Sequence, residues 1–390
     1  MPTANPLSRR LDHIPPTVFS EMSALALRTG AVNLGQGFPD VDGPRSVVEA
    51  AERALEGGAN QYAPGIGVPS LRAAIARHQQ RHYGLEVDPD REVVVTTGCT
   101  EAVAAALLGL VDPGDEVVVL EPYYDSYVAM LDVCGAVRRA VTLRSPDFRP
   151  DLDELRAAVT DRTKVILLNT PHNPTGTVLS RDELQVVADL AIAHDVLVIT
   201  DEVYEHLVFD GHSHIPIATL PGMWERTLTL SSAGKSWSFT GWKVGWATGP
   251  APLVGAVLAA KQWLTFTSGS PLQPAVAHAL DHEPDWPIEL ARDLQSRRDL
   301  LCEGLTAAGL APRVPEGTYF TTTDISHLGW ADGREFCLAL PERAGVVAIP
   351  TQGFHDDADA GRQLVRWAFC KQPDVIAEGV RRLAAADLAR

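Results

Sequence analysis

Continuous apolar runs of four or five residues alternate with helical periodicity from about residue 46 to residue 285. Val93-Val94-Val95-Thr96 leads into a helix predicted from Ala102 to Leu110. Glu116-Val117-Val118-Val119-Leu120 and Lys164-Val165-Ile166-Leu167-Leu168 read as further strands, the second followed by a helix from about 181 to 194. Val196-Leu197-Val198-Ile199-Thr200 and the runs at 227–231 and 246–249 complete the set. Runs this apolar belong to strands buried on both faces, so the helices between them must cover a sheet. The pattern predicts an α/β fold built on a mostly parallel sheet. Ligands of such sheets gather beyond the carboxyl ends of the strands. Gly98, Tyr124, Asn173, Asp201 and Lys235 each follow a predicted strand there.

The pattern changes near Trp286. A long arginine-rich helix over 288–305 precedes short strands at Tyr319-Phe320 and 365–369, as expected of a smaller α+β lobe. The first 45 residues are proline-rich and weakly periodic. The expected organisation is an N-terminal arm with part of the small domain over 1–45, a large domain over 46–285 and a small C-terminal domain over 286–390.

A length of 390 residues with 45% hydrophobic and 21% charged content fits a globular protein with room for two lobes. The net charge of −17 argues against nucleic acid as a partner, since phosphate neutralisation needs basic clusters. Any anion site must therefore be local. The five cysteines (Cys99, Cys134, Cys302, Cys337, Cys370) include no Cys-x-x-Cys pair, which points to reduced thiols and to neither a disulfide frame nor a zinc site. No metal is expected. Residues 1–10 lack an apolar h-region and no run approaches membrane-spanning length, so no membrane partner and a cytoplasmic location are expected.

Lysine is scarce: only Lys164, Lys235, Lys243, Lys261 and Lys371 occur. Lys235 and Lys243 share the small, hydroxyl-rich stretch Ser231-Ser232-Ala233-Gly234-Lys235-Ser236 to Gly241-Trp242-Lys243-Val244-Gly245, between two strands. A lysine leaving a strand through small residues can bring its amine close to a bound cofactor. That suits a phosphorylated aldehyde: one amine condenses with the carbonyl while Ser232 and Lys243 hold the anion. The plainer reading is two surface lysines in a Ser/Gly loop.

Four further groups acquire meaning beside these lysines. Thr97-Gly98-Cys99-Thr100 joins a strand to a helix, where it is either a simple cap or an anion site made of backbone N–H groups. Asp201, closing an apolar strand, either caps a helix or pairs with a pyridine nitrogen and keeps it protonated. Asn173, in a loop stiffened by Pro171 and Pro174, and Tyr204 can address a ring oxygen, and Tyr124 offers a stacking face or ordinary packing. Arg366, one of 28 arginines, sits in a small-lobe strand, where an inward guanidinium would bind a carboxylate through two hydrogen bonds.

In chain order, Asn33-Leu34-Gly35-Gln36-Gly37-Phe38-Pro39, Asn60-Gln61-Tyr62, Asn173-Pro174-Thr175-Gly176, Asp201-Glu202-Val203-Tyr204, Ser232-Ala233-Gly234-Lys235 and Arg366 span nearly the whole sequence. Together they resemble the class I, fold-type I pyridoxal-phosphate aminotransferases. The resemblance implies a large domain with a mostly parallel seven-stranded sheet between helices, a smaller α+β domain and pyridoxal 5′-phosphate as cofactor. It implies that Lys235 condenses with the cofactor aldehyde, Asp201 meets the pyridine nitrogen, Asn173 and Tyr204 hold the ring oxygen, and Tyr124 stacks on the ring. Gly98, Cys99 and Thr100 would bind the phosphate with Ser232 and Lys243, aided by Tyr62 from a second subunit of a homodimer with shared sites. Arg366 and the backbone of Gly37 would receive the substrate carboxylate, with Phe19 and the second subunit's Phe266 walling the side-chain pocket.

Through Phe19-Ser20-Glu21-Met22-Ser23-Ala24-Leu25-Ala26 and Tyr123-Tyr124-Asp125-Ser126-Tyr127 the chain is similar, within that family, to the actinobacterial N-succinyldiaminopimelate aminotransferases, and through the stretch from Asp210-Gly211-His212 to Pro250 to the kynurenine–oxoglutarate/glutamine transaminase branch. Two departures stand out. Lys243 replaces a frequent arginine, and Thr100 and Thr267 stand where the kynurenine branch has an aromatic residue and a histidine. The expected reaction is transamination between an amino-acid donor, N-succinyl-LL-diaminopimelate, and a 2-oxo acid, 2-oxoglutarate. The alternative is a kynurenine-, glutamine- or methionine-type enzyme with cysteine-conjugate β-lyase side activity. A cofactor-bearing amine sensor is a third class, but it would not need Arg366.

Overall fold

The computed structural model describes residues 7–390 except 9, 13, 15 and 16. Thirteen strands can be numbered along the described chain: β1 (Val32–Asn33), β2 (Val93–Thr97), β3 (Glu116–Glu121), β4 (Val137–Thr142), β5 (Thr163–Asn169), β6 (Leu197–Asp201), β7 (Thr227–Ser232), β8 (Val244–Thr248), β9 (Ala311–Pro312), β10 (Phe320–Asp324), β11 (Val346–Val347), β12 (Ile349–Pro350) and β13 (Leu364–Ala368). Seven of them form one sheet in the order β2-β8-β7-β6-β5-β3-β4. β3 to β7 run parallel, whereas β8 is antiparallel to both of its neighbours, β2 and β7.

Successive residues of one strand enter opposite cores. Val117, Val119, Val165 and Leu167 pack with Ala102, Val103 and Ala106 of the helix Gly98–Leu110. Val118, Leu120, Ile166 and Leu168 pack with Leu184, Val187 and Ala188 of the helix Arg181–Ala193. Burial on both faces is why these strands carry no polar alternation. β4 was not legible for the opposite reason. It lies at the sheet edge, and its Val-Arg-Arg-Ala run leaves alternate residues in solvent.

A second, antiparallel sheet orders β12-β13-β10-β9, with Thr322 of β10 opposite Arg366 of β13. β1 pairs in parallel with β11, and the helix Val18–Thr29 packs on the helix Gly333–Ala344, so the described N-terminal segment joins this second lobe. The arginine-rich helix runs from Trp286 to Ala307, slightly beyond its expected span. The first residues of the expected arm, 1–6, lie outside the described residues. No helix among the described residues is long and apolar enough to cross a membrane.

Candidate active site

The carboxyl edge of β5, β6 and β7 meets the second lobe around a cavity of about 350 Å³. Lys235 lies in the short helix Ala233–Ser236, one turn beyond β7, and its ammonium form is disfavoured. Burial is the main cause. Lys243 and Arg366 add to it, while Cys370 and Asp201 resist. Nζ donates to Tyr319 Oη at 2.9 Å. Of the other lysines only Lys243 lines the cavity. Lys261 is committed to the carbonyls of Gly65 and Phe266, Lys371 to that of Phe38, and Lys164 is exposed on β5.

Asp201 ends β6 and is almost fully buried. Its Oδ2 accepts from Tyr127 Oη at 2.6 Å, and Oδ1 from the Val203 N–H at 3.2 Å. Burial pushes its pKa above the ordinary aspartate value despite those donors and the positive field of Lys235. A carboxylate in this position gains most from a cationic hydrogen-bond donor, which a protonated ring nitrogen supplies.

Gly98 opens its helix with φ +70°, and a Cβ there would come within 3.2 Å of Lys243 Nζ. Gly245 must also lack a side chain, because a Cβ on it would lie 2.6 Å from the Gly98 carbonyl carbon. These two glycines let the start of the helix, Thr100 Oγ1 (3.5 Å from Lys243 Nζ) and Ser232 converge on one spot. Free N–H groups, a hydroxyl and an ammonium at a helix N-terminus make an anion cradle.

On the other wall Arg366 of β13 is buried. Its Nη1 donates to Asn173 Oδ1 at 3.1 Å and its Nη2 to the Gly35 carbonyl at 3.0 Å, while Nε lacks a partner among the described residues. Its guanidinium carbon stands 4.0 Å from the centre of the Phe320 ring and 4.9 Å from that of Phe19. Burial lowers its pKa to about 10, with Tyr204, Tyr319, Cys370 and Asp125 opposing, so it stays cationic at neutral pH. Because Arg366 only donates, the contact fixes Asn173 Oδ1 towards it and leaves the Nδ2 amide as a donor for another group. Asn169 sets the loop, accepting from the Asn173 N–H at 2.8 Å and donating to the Asp201 carbonyl at 2.9 Å.

Gly37, Phe19, Tyr124 and Tyr204 also line it, so every site residue expected from the sequence reaches this cavity except Tyr62 and Phe266. Those two lie outside it, exposed and edge-to-face at 5.6 Å. Sequence reasoning assigned no role to Tyr127 or Tyr319, since a buried tyrosine is ordinary core. The available signals were weak: Tyr127 stands three residues after Tyr124 on the helix Asp125–Cys134, and Tyr319 adjoins the strand paired with that of Arg366.

A half-buried amine, a buried carboxylate and an anion cradle at one sheet edge fit a phosphorylated pyridine aldehyde, and they define an enzyme that works through one. The chain belongs to the aminotransferase class I and II family, which its residues 29–383 match. It is a pyridoxal-phosphate-dependent aminotransferase acting on amino-acid and oxo-acid substrates. Over 379 residues it is 54% identical to the probable N-succinyldiaminopimelate aminotransferase DapC of Mycobacterium tuberculosis, covering 94% of this chain and 95% of that one. The solved structure of N-succinyldiaminopimelate aminotransferase from that organism superposes with a TM-score of 0.95 at 53% identity, over 98% of this chain and 100% of that one. The methionine aminotransferase of Escherichia coli is 39% identical over 383 residues, 98% of this chain and 99% of its own.

Proposed function

We propose that the enzyme moves the amino group of N-succinyl-LL-diaminopimelate to 2-oxoglutarate. The likeness of 54% identity to the probable N-succinyldiaminopimelate aminotransferase carries this reading. Lys243, Ser232 and the backbone of Gly98, Cys99 and Thr100 would hold the cofactor phosphate. Asp201 would meet the ring nitrogen, Asn173 Nδ2 and Tyr204 the ring oxygen and Tyr124 the ring face, and Lys235 would be the amine that condenses with the aldehyde. Pyridoxal phosphate supplies that aldehyde and a ring able to spread negative charge away from the donor Cα.

Arg366, with the backbone of Gly37, binds the donor carboxylate and fixes the Cα beside Lys235. Once the donor's amino group has taken its place at the aldehyde carbon, Nζ of Lys235, whose ammonium form burial disfavours, would take the Cα proton and return it one position away. Tyr319 orients that amine. Asp201 stays ionised once a cation faces it, and Tyr127 holds the carboxylate in place.

A homodimer with shared sites accounts for Tyr62 and Phe266. They form an exposed apolar patch with Trp263 and Leu264, which a second copy would bring over the cavity mouth. The division into 1–45, 46–285 and 286–390 and a cytoplasmic location remain part of the proposal. Free thiols at all five cysteines are in keeping with that location.

A second reading follows from the lining. Its basic side chains are Arg366, Lys235 and Lys243, all with roles already, and Phe19, Phe38 and Val103 are apolar. Such a pocket suits an uncharged donor such as methionine unless the partner subunit supplies the group that meets a distant carboxylate. A donor panel of N-succinyl-LL-diaminopimelate, methionine, glutamine and kynurenine, with 2-oxoglutarate as acceptor, separates the two. The proposal expects the highest kcat/KM for N-succinyl-LL-diaminopimelate, and a higher value for methionine overturns it in favour of the second reading.

A further inference from the structure

We propose that His78, His82 and His206 form a binding site for a divalent transition-metal ion of the zinc type, held by three imidazoles with water completing the coordination. His78 and His82 stand four residues apart on the helix Pro69–Tyr83, so both rings project from one face, with centroids 4.6 Å apart. His206 comes from the chain just beyond β6, its ring centroid 5.0 Å from that of His78 and 4.8 Å from that of His82. One ring nitrogen from each lies within 4.8 Å of the others.

The spacing is close to what a cation requires. His78 Nε2 and His206 Nε2 are 2.8 Å apart. Around a tetrahedral ion with metal–nitrogen bonds of about 2.0–2.1 Å, they would stand roughly 3.3 Å apart, so these two rings part by about half an ångström, while the exposed His82 ring swings in from a separation of up to 4.8 Å. A histidine–histidine hydrogen bond accounts for two rings but not for the third. Among the described residues His82 has no hydrogen-bond partner, and His78 Nδ1 is buried without one. His82 is exposed, His206 half-buried and His78 buried, so an ion can enter from solvent and keep a water ligand on the His82 side.

Charges of both signs stand nearby. Glu205, fixed by Tyr83 Oη at 2.5 Å and Ser231 Oγ at 2.6 Å, brings negative charge next to His82, and Arg81 brings positive charge near His78 and His82. An all-imidazole set excludes magnesium and calcium, which take oxygen ligands. None of the three histidines lines the cofactor cavity, so this site is separate from the transamination chemistry. A bound ion would tie the helix Pro69–Tyr83 to the segment after β6.

The test uses the cofactor-loaded enzyme, freed of adventitious metal by a chelator and titrated with zinc ion in competition with a chromophoric zinc indicator. The wild type should take up one equivalent per chain and melt at a higher temperature with zinc than without. His82→Ala, at an exposed position, and His206→Ala should lose both effects. His282→Ala should retain them, because that residue forms only a two-histidine pair with His278 on another helix. An unchanged cofactor absorbance spectrum and activity in His82→Ala establish that the fold is intact. Absence of the equivalent in the wild type, or its persistence in His82→Ala, overturns the proposal.

Discussion

Tyr319 Oη accepts a hydrogen bond from Lys235 Nζ at 2.9 Å and donates its own hydrogen to the Gly37 carbonyl at 2.6 Å. One hydroxyl thus ties the Lys235 amine beyond β7 to the Gly37 segment, which is proposed to meet the substrate carboxylate. With both of its bonds committed, it fixes where Nζ points before any substrate arrives.

Replacing that tyrosine should expose its positioning role. In Tyr319→Phe the ring still fills its place, but the amine loses its anchor and the Gly37 carbonyl its donor. Misplacement of a proton-transferring group costs on the order of 10²-fold in rate. We expect kcat to fall by about that factor with KM little changed, measured by steady-state kinetics. A loss confined to KM would assign Tyr319 to substrate binding instead.

Asp201 gives a prediction whose sign depends on the cofactor. Burial raises its pKa in the cofactor-free fold, so its stability contribution is full below the ordinary carboxylate value and is lost as pH rises through the raised one. Cofactor-free Asp201→Asn should therefore melt above the wild type at neutral pH, the gap closing as pH falls into the carboxylate range. In the loaded enzyme the same change should lower kcat by about 10²–10³-fold, because the neutral amide no longer holds the ring nitrogen protonated. Thermal melts of the cofactor-free proteins across pH check the first half, and steady-state kinetics of the loaded enzyme check the second.

The strands of the large sheet were legible because β3, β5 and β6 are buried on both faces and carry unbroken apolar runs. β4 was not, since Arg138 and Arg139 at the sheet edge face acidic partners in solvent-accessible positions. Within the site, residues with unusual chemistry for their place could be read directly: Lys235 among small residues, Asp201 closing an apolar strand, Asn173 between prolines. Tyr127 and Tyr319 could not, because nothing in a local sequence distinguishes a hydrogen-bonded buried tyrosine from a packed one. His78 and His206 pair across 128 positions, and only the packing of the helix Pro69–Tyr83 against the chain after β6 brings them together.

Arg366 should resist conservative replacement. Its fork already spends one nitrogen on Asn173 and another on Gly35, and burial that lowers an arginine to about 10 would drive a lysine further towards neutrality. Losing a charge-assisted hydrogen bond costs about 1.5–3 kcal/mol. Arg366→Lys should therefore raise KM for the amino donor by roughly tenfold to a hundredfold, and initial-rate measurements over donor concentration decide it.

The anion cradle has its own test in Gly98→Ala. The added methyl group presses on Lys243 Nζ at 3.2 Å in a backbone conformation at φ +70° that L-residues disfavour by about 1–2 kcal/mol. We expect cofactor affinity to fall about tenfold or more by absorbance titration, with secondary structure retained by circular dichroism. Unchanged affinity would remove this turn from the phosphate site.

The central claim is that Lys235, alone among five lysines, carries the cofactor. Borohydride reduction of the loaded enzyme followed by peptide mass mapping measures this directly. The account predicts one reduced pyridoxyl adduct, on the peptide containing Lys235, and none at Lys243 or elsewhere. An adduct at another lysine, or no adduct in enzyme that remains catalytically active, would contradict it.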